Sequence, residues 1–354
     1  MVQKVIKCGV VGLTDSKRNI LNREYDNLQI FLKNGEDKGL YSANKQQALR
    51  FYKKIKQKEY PISLRRDLIQ IERKDTKLSK YWFRIRVFGR KKLWVAIKPH
   101  QDISEDVKFQ ESKILRKNNN FFVYLTIQKE IKIKKSYSSI LGIDLGVKWI
   151  ATVCDANNPR PVFYGKELRK VRGHYFNLRR KLSKKKIKGF YNWISNNKEK
   201  RIVNDLIHKI SRNIVSNAIE MDSMIVIGKL EGIRKQSRGR RFNRKLNSFP
   251  FYKLKQQIKY KAEWEGIKVI EISEAYTSQI CHKCGSRGIR KNGLFKCECG
   301  WEANSDYNGV LNIINRAFGQ VSKVGVVVNQ PRTETENIKI PISSSVNDFR
   351  SHHF

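Results

Sequence analysis

The chain has 354 residues, in which 74 Lys and Arg outnumber 32 Asp and Glu to give a formal net charge of +42 and a pI near 10.1. This length excludes one small module and allows two or three domains, since single cores rarely grow beyond about 250 to 300 residues. Hydrophobic residues make up 40% of the chain, so cores can form and disorder does not explain the charge. The charge predicts phosphate contacts with nucleic acid, with an anionic membrane as the weaker alternative.

The N-terminal sequence shows no signal-peptide pattern, and no apolar run reaches the roughly 18 residues of a membrane helix. We therefore expect a soluble, intracellular protein.

The first 136 residues mix two patterns. Leu21, Tyr25 and Leu28 recur at helical spacing, and "SANKQQALRFYKKIKQ" predicts a second helix. Apolar residues then alternate with polar ones, as at Phe83 and Ile85, which is typical of strands. We predict an antiparallel β-barrel or sandwich interrupted by a helical insert at about residues 15–79.

From Tyr137 the pattern changes. "ILGIDLGVKWIATVCD" predicts two strands joined by a short turn, and "PVFYG" predicts a third. A basic helical region, a strand at residues 224–227, a helix over "YKLKQQIKYKAEWEG" and a strand in "IKVIEISEAYTS" follow. Three antiparallel strands, a helix, a strand, a helix and a strand give the order of a ribonuclease-H-like α/β fold, which is a fold-level analogy. The polar tail, residues 323–354, is predicted to be disordered.

Four cysteines fall within twenty residues, in "CHKCGSRGIRKNGLFKCECG". Two close pairs, each followed by glycine and separated by a short hairpin, predict a structural zinc ribbon at residues 281–302 rather than disulfides or chance clustering. All four positions are filled by thiolate, so no position is left open for a catalytic water. The predicted ligands are Cys281, Cys284, Cys297 and Cys299, and His282 is an alternative to one of them.

Two aspartates stand at the ends of predicted elements. Asp144 follows an apolar strand between Gly142 and Gly146, which allow another backbone or a phosphate to come close. Asp306 opens the helix after the ribbon, where a capping role is the ordinary interpretation. Read alone, Asp144 is a strand-end turn residue. The zinc ribbon lies between the two aspartates in the sequence, and the predicted strand order surrounds them. Considered together, the two aspartates are therefore candidates for one catalytic site.

Four segments of the sequence resemble the TnpB proteins of insertion sequences and their compact relatives, the type V CRISPR effectors. These are "GIDLGVKWIATV", "FNRKLNSFPFYKLKQQIKYKAEWEGIKV", "EAYTSQICHKCG" and "FKCECGWEANSDYNGVLNI". The resemblance covers residues 137–320 with sharp motifs, and residues 1–136 loosely, as a wedge domain with a helical recognition insert.

The resemblance implies a RuvC nuclease domain, residues 137–280 and 303–322, with the zinc ribbon inserted. It implies an RNA-guided DNA endonuclease whose partners are a guide RNA and double-stranded target DNA beside a short flanking motif. Carboxylates holding two Mg²⁺ or Mn²⁺ ions about 3.5–4 Å apart would hydrolyse the phosphodiester. Such a protein would be cytoplasmic and nucleoid-associated.

One position departs from the family pattern. In most of the family a metal-binding glutamate follows the strand that here is residues 224–227, but this chain has Gly228 and Lys229. Glu231 could serve, or the site could be dead, leaving an RNA-guided DNA-binding protein. Alternatively, Glu274 reaches across from the neighbouring strand into the space that glycine leaves, although it could also be a surface residue. We predict Asp144, Glu274 and Asp306 as the catalytic and metal-binding carboxylates.

Lys and Arg greatly outnumber acidic residues between Lys166 and Arg212, with aromatic residues interleaved, and they recur in the loop "RKQSRGRRFNRKLNSFPF". In so basic a chain the first of these patterns favours nucleic-acid backbone contact over a merely solvated face, whereas the loop could either hold the substrate or be mobile and solvated. The predicted contacts are Arg179, Arg180, Lys184, Lys185, Arg240, Arg241, Arg244 and Lys245.

Overall fold

The computed structural model describes residues 1–53, 55, 58–187, 189, 194, 197–229, 239, 243, 244, 246, 249–321 and 325–328. Most of the predicted tail, and the candidates Glu231, Arg240, Arg241 and Lys245, therefore lie outside the described residues. None of the helices in the described part of the chain is both long and apolar enough to span a membrane.

The chain divides into two compact units. The first comprises Met1–Lys134, Lys166–Ile219 and Gly239–Val269, and the second comprises Lys135–Gly165, Glu220–Arg238 and Ile270–Phe354. The first break falls near the predicted boundary at residue 136. However, most of the helical sequence after residue 165, which we predicted to belong with the second domain, lies in the first unit.

A seven-stranded antiparallel sheet forms the framework of the first unit, in the order β2-β6-β7-β1-β5-β4-β3. Its strands are β1 (Val2–Val11), β2 (Ile62–Leu64), β3 (Gln70–Arg73), β4 (Tyr81–Arg86), β5 (Lys92–Pro99), β6 (Lys108–Lys117) and β7 (Asn120–Lys129). Every second residue of β4 is buried, because alternate side chains of a strand point to opposite faces. Among the described residues the sheet has two ends, β2 and β3, so the antiparallel sheet is observed and its closure into a barrel stays a prediction.

Two helices follow β1, as predicted. They are α1 (Asp15–Asn34) and α2 (Ser42–Tyr52). The Thr14 hydroxyl accepts the N–H of Lys17 at the start of α1, and the apolar face of the helix packs on the sheet core. The helical insert is nevertheless shorter than the predicted range 15–79. β2 and β3 lie inside that range and join the sheet, because short segments such as Ile62–Leu64 are buried on both faces and carry no alternating pattern.

Three further helices are wholly or mainly in the first unit. They are α3 (Lys166–Lys184), α4 (Lys198–Glu220) and α5 (Phe251–Trp264). Trp264 packs against the core of the seven-stranded sheet, and the Lys4 ammonium lies 5.1 Å from the centre of its ring. Just beyond α5, the Gly266 carbonyl accepts the N–H of Lys134 at 2.9 Å. These contacts attach the end of α5 to the first unit.

A five-stranded mixed sheet forms the framework of the second unit, in the order β11-β10-β9-β12-β13. Its strands are β9 (Ser139–Asp144), β10 (Ala151–Asp155), β11 (Val162–Tyr164), β12 (Ser223–Lys229) and β13 (Val269–Ser273). β10 is antiparallel to both β9 and β11, whereas β12 runs parallel to β9. The predicted order of strands and helices is observed, and the ribonuclease-H-like class stays a prediction that rests on this order.

The other strands of the second unit are short. β8 (Ser136–Tyr137) pairs with β17 (Val327–Val328). A separate three-stranded sheet contains β14 (Ile289–Lys291), β15 (Leu294–Lys296) and β16 (Glu302–Asn304), and it leads directly into α6 (Ser305–Val321).

Gly142 allows α6 to lie close against β9. A Cβ atom at this position would lie 2.5 Å from Ile314 Cγ1 and 3.2 Å from Val310 Cγ2, closer than packed atoms approach. The groups that approach this glycine are therefore apolar side chains of α6, and they replace the backbone or phosphate that the sequence suggested. At Gly146 the neighbour is the Trp149 carbonyl oxygen, 3.2 Å from the corresponding Cβ position.

Gly142→Ala is expected to lower the free energy of unfolding by about 1–3 kcal/mol, because the added methyl group overpacks the contact between β9 and α6. Gly319→Ala, on α6, is the control for this substitution. No described atom lies within 4 Å of that Cβ position, so alanine there should leave stability unchanged or raise it by about 0.5–1 kcal/mol. Denaturant titration measures both variants, and equal effects would contradict the packing assignment.

Candidate carboxylate and cysteine sites

The parallel pairing of β9 and β12 sets up the first site. Val226 pairs with Gly142 and Ile227 with Ile143, so the next residue of each strand is Gly228 on β12 and Asp144 on β9. The strand that ends at Asp144 and the strand that contains Gly228 therefore lie side by side. β13 is the next strand beyond β12, and Glu274 follows its last residue.

Glu274 occupies the space beside Gly228. A Cβ atom at residue 228 would lie 2.5 Å from Glu274 Oε2 and 2.9 Å from Ile313 Cδ1. Neither distance leaves room for a side chain, so only glycine fits while Glu274 keeps this position. The glutamate thus lies where a side chain from the end of β12 would otherwise stand, as the relocation hypothesis requires.

The three predicted carboxylates lie close enough to influence one another. Burial, followed by the charges of Glu274 and Asp306, raises the pKa of Asp144 to about 8, against an opposing effect of Arg290. Asp144 Oδ2 also lies 3.0 Å from the Cβ position of Gly309, one helical turn beyond Asp306 on α6. The absence of a side chain at Gly309 therefore lets the helix approach Asp144.

Glu274 has an unpartnered buried oxygen. Burial raises the pKa of its carboxyl to about 7, and Oε2 is buried with no hydrogen-bond partner among the described residues. The buried Asp155, on β10, shows the contrast, because its two oxygens accept hydrogen bonds from Ser139, Ser223 and Asn157. Since buried polar atoms are normally satisfied, the orphaned oxygen points to a missing partner. Asp155 carries the signature of a structural carboxylate and Glu274 does not.

Asp306 does not cap its helix. The Asn304 side-chain oxygen accepts the N–H groups of Asp306 at 2.9 Å and Tyr307 at 3.4 Å, which is the capping interaction. This leaves the Asp306 carboxylate available, and its Oδ1 accepts a hydrogen bond from Arg290 Nη2 at 3.1 Å. Arg290 and Gly309 were both missed by sequence reasoning, because nothing distinguishes them in the sequence from neighbouring basic residues and other helical glycines.

The three carboxylates offer the type of donor that a hard divalent ion prefers, although among the described residues only the four predicted cysteines bring their ligand atoms within 4.8 Å of one another. The carboxylates come from three separate elements, one of their oxygens is buried with no hydrogen-bond partner among the described residues, and the charges of Glu274 and Asp306 disfavour ionisation of Asp144. Oxygen donor sets of this kind suit Mg²⁺ or Mn²⁺.

The four predicted cysteines form the second site. Their sulfur atoms all lie within 4.8 Å of one another, with Sγ atoms 3.6 Å apart for Cys281 and Cys299 and 3.5 Å apart for Cys284 and Cys297. Tetrahedral zinc with Zn–S bonds of about 2.3 Å needs sulfurs about 3.8 Å apart, so the geometry is compatible with zinc. His282 is not required as a ligand, and its ring nitrogen Nδ1 lies 3.0 Å from the Asn315 amide.

Glycine conformations shape both turns of the cysteine site. Gly285 and Gly300 have φ values of 76° and 84°, and their N–H groups donate to the carbonyls of Cys281 and Cys297. Glycine adopts this left-handed backbone without the penalty that a Cβ atom imposes. The glycine after each cysteine pair is therefore what turns the thiols inward, as the spacing predicted.

The predicted nucleic-acid contacts differ in availability. Arg180, Lys184 and Lys185 are exposed on or just after α3. Arg179 instead forms an ion pair with Glu199 at 2.6 Å, and Arg172 holds the same carboxylate at 2.9 Å. The contact of Arg179 with nucleic acid stays a prediction, and in the structure its guanidinium takes part in this pairing of α3 with α4.

Arg244 packs against an aromatic ring. Its guanidinium carbon lies 3.9 Å from the centre of the Phe176 ring on α3. Phe176, one of the aromatic residues interleaved with the basic ones, thus packs against Arg244, one of the predicted nucleic-acid contacts.

Residues 251–313 match the family model described as Cas12f1-like, TNB domain. The CRISPR-associated endodeoxyribonuclease Cas12f2 of Micrarchaeota archaeon is 27% identical over 58% of this chain and 41% of its own length. The putative RNA-guided DNA endonuclease InsQ of Escherichia coli is 30% identical over 60% of this chain and 59% of its own length. The chain thus spans less than two thirds of either relative.

The fold resembles that of a solved Cas12f1 chain from a complex with single-guide RNA and target DNA. The TM-score is 0.57 at 18% identity, over 85% of this chain and 80% of that chain. The structure is thus of the mixed α/β kind found in that effector. The matched family model, the fold and the curated relatives, several of which are TnpB-like proteins, confirm the predicted resemblance of this chain to TnpB-like proteins and their Cas12f relatives.

Proposed function

We propose that the protein is an RNA-guided DNA endonuclease whose active carboxylates are Asp144, Glu274 and Asp306. One observation carries the proposal: the Glu274 carboxylate fills the space beside Gly228, at the sheet edge that bears Asp144, and one of its oxygens is buried with no hydrogen-bond partner among the described residues. The family resemblance supports the same activity, since the relatives are named as DNA endonucleases.

The three carboxylates would hold divalent ions, Mg²⁺ or Mn²⁺. Bound ions of this kind activate water and stabilise the charge that develops on a phosphodiester in hydrolysis. Asp144 supplies oxygens at the end of β9 and Glu274 just after β13, the two strands on either side of β12, and Asp306 supplies them from the first turn of α6. Arg290 holds the Asp306 carboxylate in position and offsets part of the cluster's negative charge.

The basic residues of the chain would hold the nucleic acid. The net charge of +42 suits a protein that carries a guide RNA and binds a DNA strand through phosphates. The candidates among the described residues are the exposed Arg180, Lys184, Lys185 and Arg244 and the partly buried Arg179. Arg240, Arg241 and Lys245 stay predictions outside the described residues. The proposed zinc at the four cysteines supports the structure and takes no part in the chemistry.

The protein is expected to purify with one discrete RNA species that includes a guide segment. Sequencing the bound RNA tests this, and cleavage of DNA matching that guide, compared with a scrambled DNA, tests the activity. Asp144→Asn is the matched control, because it should carry the same RNA and fail to cut. Cellular RNA bound in proportion to its abundance would indicate a nonspecific nucleic-acid binder instead.

A further inference from the structure

The tight turn after β13 holds a tyrosine in an unusual conformation. The Thr277 N–H donates to the Glu274 carbonyl at 3.2 Å and closes the turn, and Tyr276 occupies its third position with a φ of 63°. This position favours glycine or asparagine, and a bulky side chain with positive φ is rare in proteins.

The rest of the turn is firmly held. Thr277 is buried, and its hydroxyl also donates to the Glu274 carbonyl at 2.9 Å. The Asn312 amide donates to the Thr277 carbonyl at 2.8 Å, while the N–H groups of Gln279 and Ile280 both donate to the Tyr276 carbonyl. The backbone that imposes the positive φ on Tyr276 is therefore fixed by its neighbours.

Packing does not explain why tyrosine stands at this position. The residue is 60% exposed, and no described residue hydrogen-bonds its hydroxyl or stacks on its ring. Unusual backbone conformations that the surrounding structure enforces are concentrated at functional sites. The exposed ring of Tyr276 is therefore available to contact a molecule other than the protein itself.

Tyr276 shares its turn with Glu274. The carbonyl that closes the turn belongs to Glu274, so the exposed Tyr276 follows the glutamate of the carboxylate cluster by two residues within one hydrogen-bonded turn. Any phosphodiester held at that cluster carries a nucleobase on either side. An unpaired base presents its face to such a ring, and aromatic side chains stack on unpaired bases with little regard to sequence. Bases inside a duplex are already stacked and do not offer that face.

We propose that Tyr276 stacks on an unpaired nucleobase next to the phosphate to be cut, and so positions a single DNA strand at the carboxylate cluster. This inference rests on the proposed nuclease function and makes Tyr276 a positioning residue.

Three substitutions separate stacking from structure. Tyr276→Phe keeps the ring, Tyr276→Leu removes its aromatic face, and Tyr276→Gly also suits the positive φ. We expect Tyr276→Phe to cut guide-matched DNA at the wild-type rate. Tyr276→Leu and Tyr276→Gly should cut about five- to hundredfold more slowly, the range that corresponds to the loss of one stacked base. Overall target binding should not change, because pairing with the guide dominates it, and the melting temperature of Tyr276→Gly should equal or exceed that of the wild type.

A modified target locates the contact. An abasic nucleotide at the stacked position should slow the wild-type protein as much as Tyr276→Leu does, and combining the two changes should cause no further loss. Equal cutting by wild type, Tyr276→Leu and Tyr276→Gly would overturn the proposal. It would also be overturned if the rate losses caused by Tyr276→Leu and by the abasic nucleotide were fully additive at every position within two nucleotides of the cut.

A binding measurement tests the contact without cleavage. With 2-aminopurine placed beside the expected cut in the target, the guide-loaded wild-type protein in EDTA should quench the fluorescence more than Tyr276→Leu does. If the wild type never cuts yet this difference is present, the nuclease function fails and the stacking contact stands. If quenching is the same in both proteins at all the positions tested, the stacking proposal is wrong whether or not the protein cuts.

Discussion

Glu274→Gln is expected to abolish cleavage of guide-matched DNA while leaving binding to that DNA intact. The substitution is nearly isosteric, so it removes the negative charge beside Gly228 without opening a cavity in the packing around β13. Removing a single electrostatic contact from an active site costs about 10²–10³ in rate, so residual cutting should fall below about one hundredth of the wild-type rate. Cleavage assays in Mg²⁺ and in Mn²⁺, with gel-shift measurement of target binding, report both quantities.

Two further substitutions are controls for this result. Glu271→Gln makes the same chemical change at an exposed glutamate on β13 and should leave cutting unchanged. Glu231→Gln should also do little. If Glu231→Gln abolishes cutting and Glu274→Gln does not, the proposed role of Glu274 is wrong.

Moving the carboxylate back tests the steric relation between the two positions. The double variant Gly228→Glu with Glu274→Ala should recover part of the lost cutting, because it returns a glutamate to the end of β12 and removes the group that blocks it. The outcome that favours an RNA-guided DNA-binding protein is different. In that case the wild type binds its target but does not cut it, whichever divalent ion is supplied, whereas Gly228→Glu alone creates activity.

Cys297→Ser is expected to lose the bound zinc and strongly destabilise the second unit. Apparent binding free energies of structural zinc are on the order of 10 kcal/mol or more, and this energy is folding energy for the ribbon. The ribbon leads straight into α6, so its loss should also displace Asp306 and reduce cutting.

Metal analysis and thermal melting measure the effect of Cys297→Ser. Cys154→Ser is the control, because this thiol is buried in β10, away from the cluster, and its replacement should leave one zinc per chain. A Cys297→Ser protein that keeps one zinc per chain and melts like the wild type would contradict the assignment.

Local spacing was enough to predict much of the second unit. Apolar runs of strand length predicted the strands that form β9 and β12, and the structure pairs these two strands in parallel. The cysteine spacing predicted a cluster, and the four sulfurs do converge. In both cases the signal lies within a few residues of the chain, where strand periodicity and turn chemistry act.

Features set by contacts between distant segments could not be predicted. Arg179 is held by Glu199 on another helix, and Arg290 finds Asp306 across the ribbon. Gly142 was expected to make room for a backbone or phosphate, but the side chain of Ile314 on α6 approaches it. β2 was overlooked inside the helical insert because a strand buried on both faces has no alternation to detect.

The close contact between Gly228 and Glu274 also constrains how this sequence could change over generations. Restoring a glutamate at residue 228 by one mutation would drive its Cβ atom into the Glu274 carboxylate, 2.5 Å away. Losing Glu274 first would, on the proposed function, remove the activity that selection maintains. On the proposed function, the two positions therefore compete for one carboxylate place, and a return to the arrangement usual in the family needs residues 228 and 274 to change together.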